Sequence, residues 1–197
     1  MLSGMAIDGR AEPRDALRIF VDEITHSASI VAARENDALV AVAATLRSAK
    51  RVFFIAAGRS GLAVRMTAMR LMHLGLDVHV VGDVTTPAIG RGDVLVAASG
   101  SGTTASVVAA ARKAVDCGAE VVSLSTRAAS PLAALATITV VIPAAAKQDH
   151  DGPASQQYSG GLFEQTLLLV GDSLFHTLWK SLGESSADLW TRHANLE

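Results

Sequence analysis

The chain has 197 residues and a formal net charge of −2; 50% of it is hydrophobic and only 18% is charged. That length suffices for one domain with a real core, and a near-neutral charge without a basic cluster excludes a nucleic-acid surface, which needs a clustered cationic face. Cys117 is the only cysteine, which excludes an intramolecular disulfide and a cysteine-based metal cluster and leaves a small packing residue.

The opening stretch "MLSGMAIDGR" contains acids and no long apolar run, so it does not read as a secretory leader. Residues 13–48 carry apolar side chains at helical spacing (Ala16, Ile19, Phe20, Ile24, then Val31, Leu39, Val42, Leu46) and predict two helices. Short β-branched runs follow at regular intervals: "VFFIAA", "VHVVG", "VLVAAS", "VVSLS" and "ITVVIP". Amphipathic stretches lie between most of them, notably 62–74 and 103–117, with Gly75 and Gly118 as stops. Strand and helix alternate, and the strands are nearly continuous apolar runs. The pattern predicts an α/β three-layer fold, a parallel sheet covered on both faces. Residues 144–160 read as a polar loop, and a long helix is expected from about 161 to 182. That helix is apolar but includes Glu164, Asp172, His176 and Lys180, which would be costly in a bilayer. A cytoplasmic protein with no membrane partner is expected, and its modest polarity points to a surface partly covered by another subunit.

Two strand–turn–helix units stand out. "AAGRSG" (56–61) nearly fits the dinucleotide fingerprint G-x-G-x-x-G, with Ala56 in the first slot and Asp83 22 residues beyond Gly61, where a ribose-binding acid belongs. "ASGSGTTAS" (98–106) puts Ser99, Ser101, Thr103 and Thr104 around Gly100 and Gly102 at a helix start. Free N–H groups there favour an anion, and the hydroxyls of Ser99, Ser101 and Thr104 can supplement them around a phosphate monoester. Capping the helix is the plainer reading, but it accounts for one hydroxyl and not four around two glycines. On neighbouring parallel strands both turns lie at the same carboxyl edge, where open α/β sheets bind ligands. A dinucleotide needs no second hydroxyl-rich nest; two convergent nests suit one compact sugar phosphate, and Asp83 then reads as a turn residue. No Walker-type G-x-x-x-x-G-K-[ST] string occurs.

Together, "AAGRSG", "ASGSGTT", "SQQYSGGLFEQ" and the closing "RHANLE" resemble the sugar isomerase (SIS) domain family over roughly residues 13–197. Within it they are most similar to the 6-phospho-3-hexuloisomerases of the ribulose monophosphate pathway. The resemblance implies a single SIS domain: N-terminal helices 13–48, an α/β core about 51–143, and an active-site loop with helices over 144–197. It implies a five-stranded sheet in flavodoxin-like order 2-1-3-4-5 and interconversion of D-arabino-hex-3-ulose 6-phosphate and D-fructose 6-phosphate, with no cofactor and no metal. Ser99, Ser101 and Thr104 inherit the phosphate. Gly58 and Ser60 in the first turn join them, and Arg59 pairs with the anion or with a neighbouring subunit. The family commonly reads S-G-S-G-E-T, whereas Thr103 stands here in place of the acid.

Glu164, in "GLFEQ", inherits the role of the base; by residue type alone it could equally complement the dipole of its helix. His193 is implied to reach an adjacent subunit's site and move protons on the sugar oxygens or assist ring opening, with the sites shared within a homotetramer. Gln157 takes the place of a Gln that usually precedes Pro; Tyr158 replaces that proline. His26, His73, His79, His150 and His176 show no metal-ligand spacing and read as structural or surface groups. Other readings are an aldose–ketose isomerase such as an arabinose 5-phosphate isomerase, a sugar-phosphate-sensing module without need of Glu164, and a dinucleotide-dependent oxidoreductase.

Overall fold

A computed structural model describes residues 12–144 and 155–196. His150, and the part of the polar loop within 145–154, lie outside the described residues. The N-terminal pair forms as expected: α1, Pro13–Arg34, has proline at its first turn, where a missing N–H does no harm, and α2 spans Asn36–Ser48. Five strands follow: β1 (Val52–Ala56), β2 (Val78–Val80), β3 (Val94–Ala98), β4 (Glu120–Ser125) and β5 (Ile138–Val141). All pair in parallel, in the order β2-β1-β3-β4-β5. Helix α3 (Gly58–His73) joins β1 to β2, and α4 (Ala105–Asp116) joins β3 to β4. Helix α5 (Gly161–Leu182) and the short α6 (Ser186–Trp190) close the chain.

Strand side chains alternate between two cores, as their pleat requires. Val52 and Phe54 of β1, with Val94, Val96 and Ala98 of β3, pack under α2, α3 and α5. Phe53, Leu95 and Ala97 point the other way, onto Val107, Ala111 and Ala114 of α4. Both faces are therefore covered, which is why the strands read as unbroken apolar runs.

Helix α3 lies directly against α5. A Cβ on Gly171 of α5 would collide with buried Thr67 of α3, so the glycine sets how closely these helices approach. At the amino ends of β1 and β3 Asp93, 1% exposed, holds Arg51 through Nη2–Oδ2 and Nε–Oδ1 contacts of 2.6 and 3.1 Å. Burial opposes its charge, but Arg51 and the Gly90 N–H outweigh it and hold the carboxyl below its ordinary range. This contribution to stability is present above the usual carboxylate range and is lost as pH falls through the lowered value.

Two helix starts differ from expectation. Gly58, Arg59 and Ser60 form the first turn of α3 itself, four residues ahead of the expected start at 62. Helix α4 begins at Ala105, with Thr104 as its N-cap residue. In the first turn glycine and serine look loop-like by propensity, yet the parallel crossover takes the chain straight into a helix; in the second, the glycine and hydroxyl residues up to Thr104 stay ahead of it.

Candidate active site

Parallel strands deliver α3 and α4 to the same carboxyl edge of the sheet, with their N-termini adjacent because β1 neighbours β3. Neither helix has a side-chain cap, and neither does α5. Capping is therefore not what the hydroxyls of 99–104 do. Ser99 Oγ and Thr104 Oγ1 lie 2.8 Å apart and bond to each other. Thr103 donates from its hydroxyl and its N–H to Ser101 Oγ, at 2.8 and 3.2 Å. The four hydroxyls thus form two preset pairs in front of a helix start whose N–H groups no side chain has taken. Gly102 holds φ +66°, and a Cβ there would strike Ser130, so the turn keeps its shape only with glycine. Ser60, 3% exposed, sits in the first turn of α3 behind Arg59.

Helix α5 joins the two turns from above. The Phe163 ring lies 3.5 Å from where a Gly100 Cβ would be, so the first turn of α5 packs on the second nest. Glu164 is 5% exposed, in the first turn of α5. Its Oε2 lies 2.6 Å from Nε of Arg59, whose side chain is 71% exposed. A buried carboxylate needs such a partner, and this one can swing away, since it remains largely in solvent. Within the chain Arg59 pairs with the candidate base.

The chain enters α5 sharply. Ser159 is the one described non-glycine residue at positive φ, +47°, and Gly160 follows at +81°. Gln157 is held just before this reversal. Its Nε2 donates to Glu23 Oε2 at 3.1 Å, while Ser155 Oγ and the Gln156 N–H also donate to Glu23, each at 2.7 Å. Because Glu23 accepts the amide nitrogen, the Gln157 oxygen is the end left over, near Gly161. Tyr158 is 87% exposed, so the loop gets its rigidity from Glu23 rather than from a proline. Glu23 is the residue the sequence reading missed: it lies 134 positions from Gln157 on an amphipathic helix, where an acid looks like ordinary solvated surface.

His193 is not among the convergent groups. Its ring stacks on His73 at 4.4 Å and on Trp190 at 4.7 Å, while Arg192 anchors the tail to Glu184 and to the His73 carbonyl. His73 ends α3, so 14 residues of helix separate it from Arg59, about 20 Å at 1.5 Å per residue. Burial, then His193 and Arg70 nearby, lower the His73 pKa and favour its neutral ring. His73 is thus a structural histidine, as expected, and the platform for His193. Asp83 lies in the turn after β2 and pairs with Arg65 at 2.9 Å.

Among the described residues, no helix is long and apolar enough to cross a membrane, and no group of three or more His, Cys, Asp or Glu side chains is placed to hold a metal ion. A separate apolar cleft of about 350 Å³ opens between α1, α2 and α5, lined by Val31, Leu39, Leu169 and Val170, away from the glycine turns.

Known proteins resemble this chain over nearly its whole length. The chain is 49% identical over 195 residues to the 3-hexulose-6-phosphate isomerase of Mycobacterium gastri, covering 95% of this chain and 98% of that one. It is 36% identical to the enzyme of the same name from Bacillus subtilis, over 90% and 95% of the two chains. Among solved structures, a hypothetical protein of Methanococcus jannaschii, inferred from its crystal structure to be a 3-hexulose-6-phosphate isomerase, superposes with a TM-score of 0.79 at 28% identity, over 93% of this chain and 99% of that one. The model of the SIS domain matches residues 45–159, more than half of the sequence: the chain belongs to the SIS domain family.

Proposed function

We propose that the protein is a sugar-phosphate isomerase that interconverts D-arabino-hex-3-ulose 6-phosphate and D-fructose 6-phosphate through a cis-enediolate, working in the cytoplasm without a cofactor. The observation that carries the reading is Glu164: a buried carboxylate in the first turn of α5, paired to the exposed guanidinium of Arg59 at the uncapped start of α3. A sugar-phosphate sensor would need the nests but not this carboxylate. The relatives covering nearly the whole chain bear isomerase names, which supports the same choice.

In this reading the terminal phosphate sits on the α4 start, where Ser99 and Thr104 exchange their mutual hydrogen bond, and Ser101 its bonds from Thr103, for phosphate oxygens, with the α3 turn of Gly58 and Ser60 alongside. Glu164 takes the C2 proton, alpha to the C3 carbonyl. As it becomes neutral, negative charge moves to the enediolate oxygens, and Arg59 follows that charge. The proton then returns at C3 from the same face, while the hydroxyl proton passes between O2 and O3. Gln157 contributes its amide oxygen as an acceptor for a sugar hydroxyl, oriented by Glu23. His193 serves the oxygens of a neighbouring subunit's substrate, within a homotetramer whose sites are shared.

Fructose 6-phosphate in deuterated water tests the core of this. The protein should incorporate deuterium at C3 and yield the 3-hexulose; absence of both, with the sugar phosphate still bound, would leave a sensor instead. The nests are tested separately. Ser99→Ala and Ser101→Ala should each raise KM about tenfold or more with a smaller change in kcat, since a hydrogen bond to a charged group contributes roughly 1.5–3 kcal/mol. Unchanged KM in both variants removes the phosphate from this turn.

A further inference from the structure

Ser99, Gly100, Ser101 and Gly102 make a β-turn, closed by the Gly102 N–H on the Ser99 carbonyl at 2.9 Å. Its middle peptide, between Gly100 and Ser101, is the part that can rotate as a unit. The two common turn types differ by about half a revolution of that peptide. The rotation decides what the turn shows a ligand. In a trans peptide the carbonyl of one residue and the N–H of the next point in opposite directions, so one orientation presents a donor and the other an acceptor.

Three donors hold the peptide in one orientation. The Gly100 carbonyl accepts from the Thr126 N–H at 3.0 Å, from Thr126 Oγ1 at 2.7 Å and from Ser125 Oγ at 3.2 Å, all at the carboxyl end of β4. Ser125 is fully buried, and its hydroxyl is itself oriented by the Arg127 N–H at 3.2 Å. Strand β3 lies between β4 and β1. With its carbonyl drawn to the β4 side, the peptide turns the Ser101 N–H to the β1 side, where Gly58 and Ser60 begin α3. No acceptor among the described residues takes that N–H. Gly100 needs such a hold. It is glycine for space and not for backbone angle: its φ is not positive, but the Phe163 ring stands 3.5 Å from where its Cβ would be. Glycine is the least restricted residue, so without the three donors little beyond the φ of Ser101 would resist reversal.

We propose that Thr126 is a positioning residue for the substrate's phosphate: it holds the Gly100–Ser101 peptide with its N–H, and not its carbonyl, toward the anion. The inference rests on the reading in which the α4 turn takes that phosphate. Reversed, the peptide would set a carbonyl oxygen against the phosphate oxygens, negative on negative. Thr126 acts through Gly100 and touches no sugar, so its effect falls on binding and not on the proton transfers.

Gly100–Ser101 is the only Gly-Ser step in the chain. Protein labelled with 13C at glycine carbonyls and 15N at serine therefore gives one coupled amide signal, that of Ser101. In the wild type, inorganic phosphate and fructose 6-phosphate should each shift this signal saturably. Thr126→Val keeps the side-chain shape and the N–H but withdraws the hydroxyl. It should weaken phosphate binding read at Ser101 and raise KM, both about fivefold, the factor of one hydrogen bond, with kcat within about twofold. Thr126→Ser restores the hydroxyl and should bring both back to about the wild-type values, which a role in packing alone would not. Should Thr126→Val not fold, Thr126→Ala is read against Thr126→Ser in the same way. Wild-type affinity without the hydroxyl, or equal weakening in Thr126→Ser, overturns the proposal. If phosphate leaves the wild-type Ser101 signal unmoved and Ser99→Ala and Ser101→Ala keep their KM, the phosphate reading of the turn fails as well. If those respond and withdrawal of the hydroxyl changes nothing, the role of Thr126 alone fails.

Discussion

Glu164→Gln lowers kcat by about a thousandfold or more and leaves KM within a few fold, the pattern of a group that acts on the reacting atoms rather than in binding. Three features make the substitution clean. Gln has the shape of Glu, so the tight surroundings of a side chain 5% exposed are kept. Its amide oxygen can still accept from Arg59, and that guanidinium is 71% exposed, so weakening the pair strands no buried cation. Glu164 is the one acid in the first turn of α5, and the loss of a single charge there changes helix stability by no more than about 1 kcal/mol through the dipole. Steady-state kinetics with the hexulose phosphate, together with deuterium exchange at C3, measure the effect. Both should fall together if, as proposed, one carboxylate makes both proton transfers. Retained exchange with lost isomerisation would assign the base elsewhere, and retained turnover would reduce Glu164 to a partner of Arg59.

The sheet was legible because its information is local. Each strand is an apolar run alternating with an amphipathic stretch, so a parallel sheet covered on both faces follows from pattern, while its order β2-β1-β3-β4-β5 was expected from the family resemblance. The two turns were legible too, since glycines and hydroxyls at a strand–helix junction have few other uses, though their helices begin at 58 and 105 rather than 62 and 103. What the sequence does not carry is which distant side chains meet. Arg59 and Glu164 are ion-pair formers in any protein, and only the packing of α3 on α5 brings them to 2.6 Å. Glu23 and Gln157 meet because α1 lies along the start of α5, a tertiary choice that helical periodicity leaves open. His193 is the sharpest case. "TRHANLE" looks like a solvated tail, and His193 is exposed, yet its ring also stacks on Trp190 and on His73, a histidine 4% exposed.

That stacking gives the second large effect its form. Held on His73, His193 lies about 20 Å along α3 from Arg59, so within one chain it cannot touch a sugar that Glu164 is deprotonating. If it acts on substrate, it acts on a neighbour's. His193→Ala should then be nearly inactive, like Glu164→Gln, yet mixing the two should recover activity that neither has. In a mixed pair one site combines both defects and the other has an intact Glu164 from one chain and an intact His193 from the other. Random reassociation at equal amounts makes half of the pairs mixed, each with one working site, so about a quarter of wild-type turnover should return. Reassociation after mild dissociation, followed by a rate measurement, reads this directly, and each parent alone supplies the baseline. A mixture that stays at the mean of its parents means that His193 serves no neighbouring site, whatever the oligomer. Near-wild-type activity in His193→Ala alone means that the stack on His73 only anchors the tail. Recovery to a quarter requires two chains at one site, a distinction that loss of activity in either single variant cannot make.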